Sequence, residues 1–188
     1  VNWKYFLFYA EGVIHMNEIL RTIMNRRACR SFKPDLIPED ILQQILEAGT
    51  YAATGMGKQS PIIIMVTNQE IRDELSALNA KIMGTKMDPF YGAPEVAIVL
   101  ADKNRPTHVY DGSLVIGNMM LAAESLGIGS CWIHRAKEEF ELPEGKAILE
   151  KLGIKGDYEG IGHCILGYAA KPAGKAAPRK KDYIYRIG

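Results

Sequence analysis

The sequence predicts an α+β domain built on a layered central mixed β-sheet flanked by helices. Three observations point there. Short apolar runs of strand length (Ile62–Thr67, Val96–Ala101, Ser130–His134 and Gly160–Tyr168) are separated by stretches of helical period. Helices and strands alternate without a strict βαβ rhythm, which argues against a doubly wound parallel sheet. A chain of 188 residues, 47% of them hydrophobic, is one domain's worth of core.

Taken in order, the opening VNWKYFLFYAEGVIH has an apolar centre, Tyr5–Ala10, that is short even for a signal peptide. Residues 1–15 therefore read as a leader, non-native or mis-started, or as an N-terminal arm, and 16–188 as a single domain. Ile19, Leu20, Ile23 and Met24 give Asn17–Asn25 one apolar helical face. Pro38 suits a first helical position, ahead of Ile41, Leu42, Ile45 and Leu46. Ala52–Pro61 is a loop of small residues before the first core strand. Asn68 caps a helix whose inner stripe is Ile71, Leu75, Leu78 and Ile82. An aromatic-bearing loop, MGTKMDPFYGAP, leads to the strand Val96–Ala101. The turn DKNRPTH precedes the central helix, expected to be capped by Asp111 and closed by Gly127. That helix is apolar nearly all round, which places it inside the protein, where it is expected to be shared with a second subunit. Lys137–Leu152 reads as a helix broken at Pro143, and the basic tail from Ala169 ends in Tyr183, Ile184, Tyr185 and Ile187.

Composition excludes several functions. With 23 basic and 22 acidic residues, no global field attracts nucleic acid or an anionic membrane. No segment has the roughly 20 apolar residues of a membrane span. Cys29, Cys131 and Cys164 are three and far apart, so reduced thiols in a cytoplasmic protein are expected, without a disulfide framework or a zinc site. The chain lacks a G-x-S-x-G elbow and a P-loop, and Gly127-Ile128-Gly129 follows a helix rather than opening one. Cys131 with His134 or His163 would be a thiol nucleophile and base, but a buried structural cysteine is the plainer reading. The positive charges say more. Arg26, Arg27 and Arg30 close the first helix, and Arg179, Lys180 and Lys181 stand near the other terminus. Together they suit a phosphate-bearing cofactor, from which a chain without its own redox groups would borrow chemistry.

The stretches R-R-A-C-R-S-F, A-A-T-G-M-G-K-Q-S-P, DGSLVIGNMMLAAESLGIGSCWIH and A-P-R-K-K, in this order and spacing, resemble the nitroreductase family over residues 16–188. The resemblance implies a homodimer with FMN at the subunit interface and a C-terminal arm embracing the partner. It implies that Arg26, Arg27, Ala28 and Arg30 hold the FMN phosphate and ribityl chain, with Arg179 and Lys180 closing over it. Ala53, Thr54, Gly55 and Gly57 would come from the partner subunit, and Trp132, Ile133 and His134 would pass beside the flavin ring. Arg30 or Lys58 would face its N1 and O2. His134, Phe90 and Tyr91 would line the acceptor pocket, and no side chain would act as a catalytic group. The chain has Ala28 where the family commonly has Ser, and Gly57 where it often has Asn. The implied activity is ping-pong transfer of two electrons from NADH or NADPH to a nitroaromatic, quinone or similar flat acceptor. Alternatives are a flavin reductase, a reductase of an unsaturated or halogenated metabolite, and a non-catalytic flavin-binding protein.

Overall fold

The structure, a computed structural model, describes the backbone of residues 9–10 and 13–14 and the whole of residues 16–188. Most of the expected leader lies outside the described residues; within it β1 (Tyr9–Ala10) and β2 (Val13–Ile14) pair antiparallel. There follow α1 (Glu18–Asn25), α2 (Glu39–Thr50), β3 (Pro61–Val66), α3 (Gln69–Met83), β4 (Glu95–Asp102) and α4 (His108–Ser125). β5 (Gly129–Ile133), α5 (Ala136–Glu141), α6 (Pro143–Lys151) and β6 (Tyr158–Gly167) complete the order.

The main sheet runs β3-β4-β6-β5, and all three ladders are antiparallel. Among the described residues, parallel pairing is confined to an isolated bridge between Ala28 and Ser130, so the sheet is mixed at that edge. β4 explains why Val96–Ala101 is unbroken in its apolarity. Ala97, Val99 and Ala101 face α2 and α4, while Val96, Ile98 and Leu100 face the layer of α3 and α5. Both faces of the strand are covered, so the period-two alternation separates two cores rather than core from solvent.

The caps follow local chemistry. Asn17 Oδ1 accepts from Ile19 N at 2.8 Å and Asn68 Oδ1 from Ile71 N at 3.0 Å. Pro38 sits one position ahead of the expected one, at the cap itself, and Pro143 opens α6 where the break was expected. The central helix begins a turn earlier than Asp111 suggests, behind Thr107. Its buried stripe includes Gly112, Val115, Ile116 and Met119. A Cβ on Gly112 would stand 2.6 Å from Ile161 Cγ1, so glycine there lets α4 settle onto β6. The rest of α4 is not enclosed: Tyr110 and Leu114 are exposed, as are Ile19, Ile23 and Met24 of α1, which buries no residue at all. No described helix is long and apolar enough to cross a membrane.

Candidate functional site

The residues after α1 cannot continue the helix, because Arg26 turns to extended backbone at its end. Cys29 N then donates to Ser130 O at 2.9 Å and lays the segment along β5. A Cβ on Gly129 would sit 2.9 Å from Cys29 Sγ, so this approach needs the glycine. Farther on, Lys33 N donates to Tyr168 O, and Ala170 N returns a bond to Ser31 O. Residues 29–33 and 168–170 thus meet beside β5, ahead of the tail that carries Arg179 and Lys180.

Two cavities result, and Arg30 lines both. The first, about 430 Å³, is walled by Arg27, Ala28, Arg30, Gly127, Gly129 and the start of the tail, with Lys171 adding a cation and Glu124 the single carboxylate. Arg27 spends one guanidine nitrogen on Met24 O and Arg26 O at 2.7 and 2.8 Å, which satisfies the end of α1. Its Nε is buried with no partner, an orphaned donor in the wall of a cationic cavity. The second cavity, about 230 Å³, is walled by Cys131–Arg135 of the β5–α5 corner and by Met83, Met87 and Tyr91. Burial pushes the Cys131 thiol up, with Arg30 and then Arg26 pulling the other way, so both guanidiniums lie within electrostatic reach of this strand. A buried thiol raised in this way is a poor nucleophile, which disfavours a thiol mechanism. Cys164 is fully enclosed and burial pushes it to about 12.

The loop carrying Ala53, Thr54, Gly55 and Gly57 lies elsewhere. Its architect is Asp111, which caps no helix. Oδ1 accepts from Gly55 N at 3.0 Å, and Oδ2 accepts from Ser60 Oγ at 2.7 Å and Thr107 Oγ1 at 3.1 Å. Burial works against its charge, yet the bonds from Ser60, Gly55 and Thr107 win and hold the carboxyl below its usual range. Thr54 Oγ1 accepts from Gln59 N, and Met56, Gly57 and Gln59 all have positive φ. Thr54 lines a cavity of about 740 Å³ between α2 and β3, whose wall holds no Lys or Arg. That space cannot neutralise a phosphate, and within one chain the loop shares no described cavity with Arg27 or Arg30.

Trp132, Ile133, His134 and Tyr91 line the smaller Arg30 cavity. Phe90 does not, contrary to expectation: it is wholly buried, its ring 5.2 Å from that of His163 and beneath the Arg72 guanidinium. The reason is the turn at Asp88, whose carboxylate accepts from Phe90 N and Gly92 N at 2.8 and 2.7 Å, so one aromatic points in and its neighbour out. Arg179 and Lys180 are exposed and, among the described residues, engage their own tail, through Ala177 O and the Tyr183 ring. Sequence reasoning overlooked a buried polar chain beneath this cavity. Asn79 donates to His134 O at 2.9 Å and to Glu139, and Glu139 Oε2 is 2.8 Å from His163 Nε2. The available signal was Arg72, Ser76 and Asn79, polar at helical spacing on the inner face of α3.

Comparison with known proteins decides what this arrangement belongs to. The profile of the nitroreductase family matches residues 23–168. The chain belongs to the nitroreductase family. As a member of it the chain is an oxidoreductase. A nitroreductase with bound FMN from Bacteroides fragilis NCTC 9343 superimposes with a TM-score of 0.84 at 32% identity, covering 92% of this chain and 100% of that one. A protein of Archaeoglobus fulgidus described as an NADH dehydrogenase/NAD(P)H nitroreductase is 29% identical over 158 residues, 81% of this chain and 86% of its own length. An FMN reductase (NADPH) of Bacillus subtilis is 24% identical, over 90% of this chain and 73% of its own length.

Proposed function

We propose that the chain is an FMN-dependent oxidoreductase that takes two electrons from NADH or NADPH and delivers them to a nitroaromatic, quinone or similar flat acceptor. The observation that carries this reading is the single residue Arg30 lining two adjoining cavities, one cationic and one aromatic. The cationic cavity fits a phosphate: Arg27 offers an unpartnered buried donor, Arg30 and Lys171 add charge, and only Glu124 opposes them. Bound FMN supplies two-electron redox chemistry. Arg26, Arg27, Ala28 and Arg30 would hold its phosphate and ribityl chain, with Arg179 and Lys180 closing from the tail. Trp132, Ile133 and His134 would offer backbone groups beside the ring, where a nearby guanidinium stabilises negative charge. Reductant and acceptor would use the aromatic cavity in turn, giving ping-pong kinetics with protons from solvent. A reducing cytoplasm suits the three free thiols.

The site needs two subunits in this reading. Ala53, Thr54, Gly55 and Gly57 reach the flavin edge only from a second copy. The uncovered apolar faces of α1 and α4, with Tyr183–Ile187 of the tail, are the surface on which that copy would sit. Replacing Ile23 by Asp places a buried charge on each side of such an interface, and the expected result in sedimentation velocity is monomer in place of dimer.

The purified protein is expected to be yellow and to bleach anaerobically on addition of NADH or NADPH. A flavin band that persists would favour a flavin-binding protein without turnover. Arg30→Ala should weaken FMN retention by about 1.5–3 kcal/mol, the worth of one charge-assisted hydrogen bond, or roughly tenfold to a hundredfold in Kd. Unchanged affinity, measured by fluorescence titration of the apoprotein, would remove Arg30 from the site.

A further inference from the structure

Two walls of the smaller cavity are built from residues in a conformation that L side chains rarely adopt. Tyr91 has φ 54° and Arg135 has φ 80°, and neither is a glycine. Left-handed backbone of this kind costs on the order of 1 kcal/mol per residue and persists where the surroundings over-determine it. Each has such a frame. The Tyr91 turn is pinned by Asp88, which accepts from two backbone amides and from Ser76 and pairs with Arg72 at 2.6 Å. Arg135 Nε donates to Asn79 Oδ1 at 3.1 Å, and Asn79 is itself tied to His134 O and Glu139. One Arg135 guanidine nitrogen lies 3.2 Å from Met83 Sδ; the other makes no hydrogen bond, and no carboxylate pairs with Arg135 among the described residues. Asp88 shares the cavity wall, but both its oxygens are already engaged.

We infer that Arg135 and Tyr91 select the electron acceptor, and that it is a flat aromatic carrying a carboxylate or similar oxyanion. This rests on the flavin-oxidoreductase reading above. Tyr91 offers a ring for a planar partner, and Arg135 offers a fixed fork with an unspent charge. A cavity of about 230 Å³ lies below the usual size of sites for larger ligands, which matches a single ring with its substituent. The nicotinamide cofactor's phosphates carry oxyanions too, and the KM of NADH in the test below separates the two sources.

The test uses the full chain loaded with FMN and NADH as donor. The nitro group of para-nitrobenzoate or nitrobenzene takes two electrons and two protons, releasing water and leaving the nitroso compound as NADH becomes NAD⁺. The wild type should prefer the benzoate in kcat/KM by about tenfold or more, as one charge-assisted contact allows. Arg135→Gln should bring that ratio towards one through the KM of the benzoate, and Arg135→Lys should restore part of it. In calorimetry with oxidised holoprotein, Arg135→Gln should weaken benzoate binding about tenfold while leaving benzamide binding where it was. An unchanged ratio, or equal losses for benzoate and benzamide, would overturn the inference. So would a rise confined to the KM of NADH. Should the wild type reduce neither acceptor, the proposed function fails, and the benzoate titration still decides the anion site on its own.

Discussion

Glu139→Ala is expected to be among the most damaging single changes to the fold. Glu139 and His163 are both fully buried, 2.8 Å apart, and Asn79 donates to the other carboxylate oxygen. Removing the carboxylate strands two polar side chains in the layer between α3, α5 and β6. His163 Nδ1 already has no partner, so the ring would have none at all. Breaking a buried polar pair from one side costs about 3–5 kcal/mol. For a chain of this size that corresponds to a fall in Tm of about 6–20 °C. Glu139→Gln should cost less, because it still accepts from Asn79, although it then obliges His163 Nε2 to accept and its proton to move to the unpartnered Nδ1. The double change Glu139→Leu with His163→Phe should recover much of the loss, since replacing both partners by apolar groups of similar size leaves little to desolvate. A single and a double variant with equal Tm would show that the pair contributes no such coupling.

Glu139 also illustrates what a sequence conceals. The strands were legible because β4 and most of β6 are buried, so their runs of Val, Ile, Leu, Ala and Cys are dense and short. The breaks at Asn68 and Pro143 were legible because capping and ring closure are local chemistry. Asp111 was misread as a cap for the same reason: a carboxylate near a helix start is a local signal, whereas its partner Ser60 is 51 positions away. Phe90 and Tyr91 are alike in composition, and only the positive φ at Tyr91 turns one to the core and the other to the cavity. The arginine segment runs beside β5 because Cys29 and Ser130 join there, a pairing between residues far apart in sequence that no local pattern announces, and nothing periodic in the basic tail says where Arg179 and Lys180 come to rest. Arg135 escaped notice because it stands alone in sequence; its charge has meaning only beside Asn79 and Tyr91.

Asp111→Ala is the second large effect, and its dependence on pH carries a sign. The variant leaves Gly55 N, Ser60 Oγ and Thr107 Oγ1 without their acceptor, at the base of the loop that would line the partner's flavin. Bonds to an ionised group are each worth about 1.5–3 kcal/mol but share one carboxylate, so a combined loss of about 3 kcal/mol is expected, a Tm drop of about 6–12 °C. Asp111→Asn should be milder at neutral pH: its amide oxygen still serves Gly55 N, and the hydroxyls of Ser60 and Thr107 can rotate to accept from its nitrogen. Acid separates the two proteins. Because Asp111 is held below the ordinary carboxyl value of 3.8, its contribution is fully present above that value and disappears as pH falls through the lower, folded-state value. Wild-type stability should therefore decline more steeply than that of Asp111→Asn once the pH drops below about 4. Thermal melts of both proteins across that range, with hydrogen exchange at Gly55 and Gln59, measure the two halves of the claim. Parallel melting curves would mean that the carboxylate is uncharged where the loop needs it, and that the loop is held by something other than Asp111.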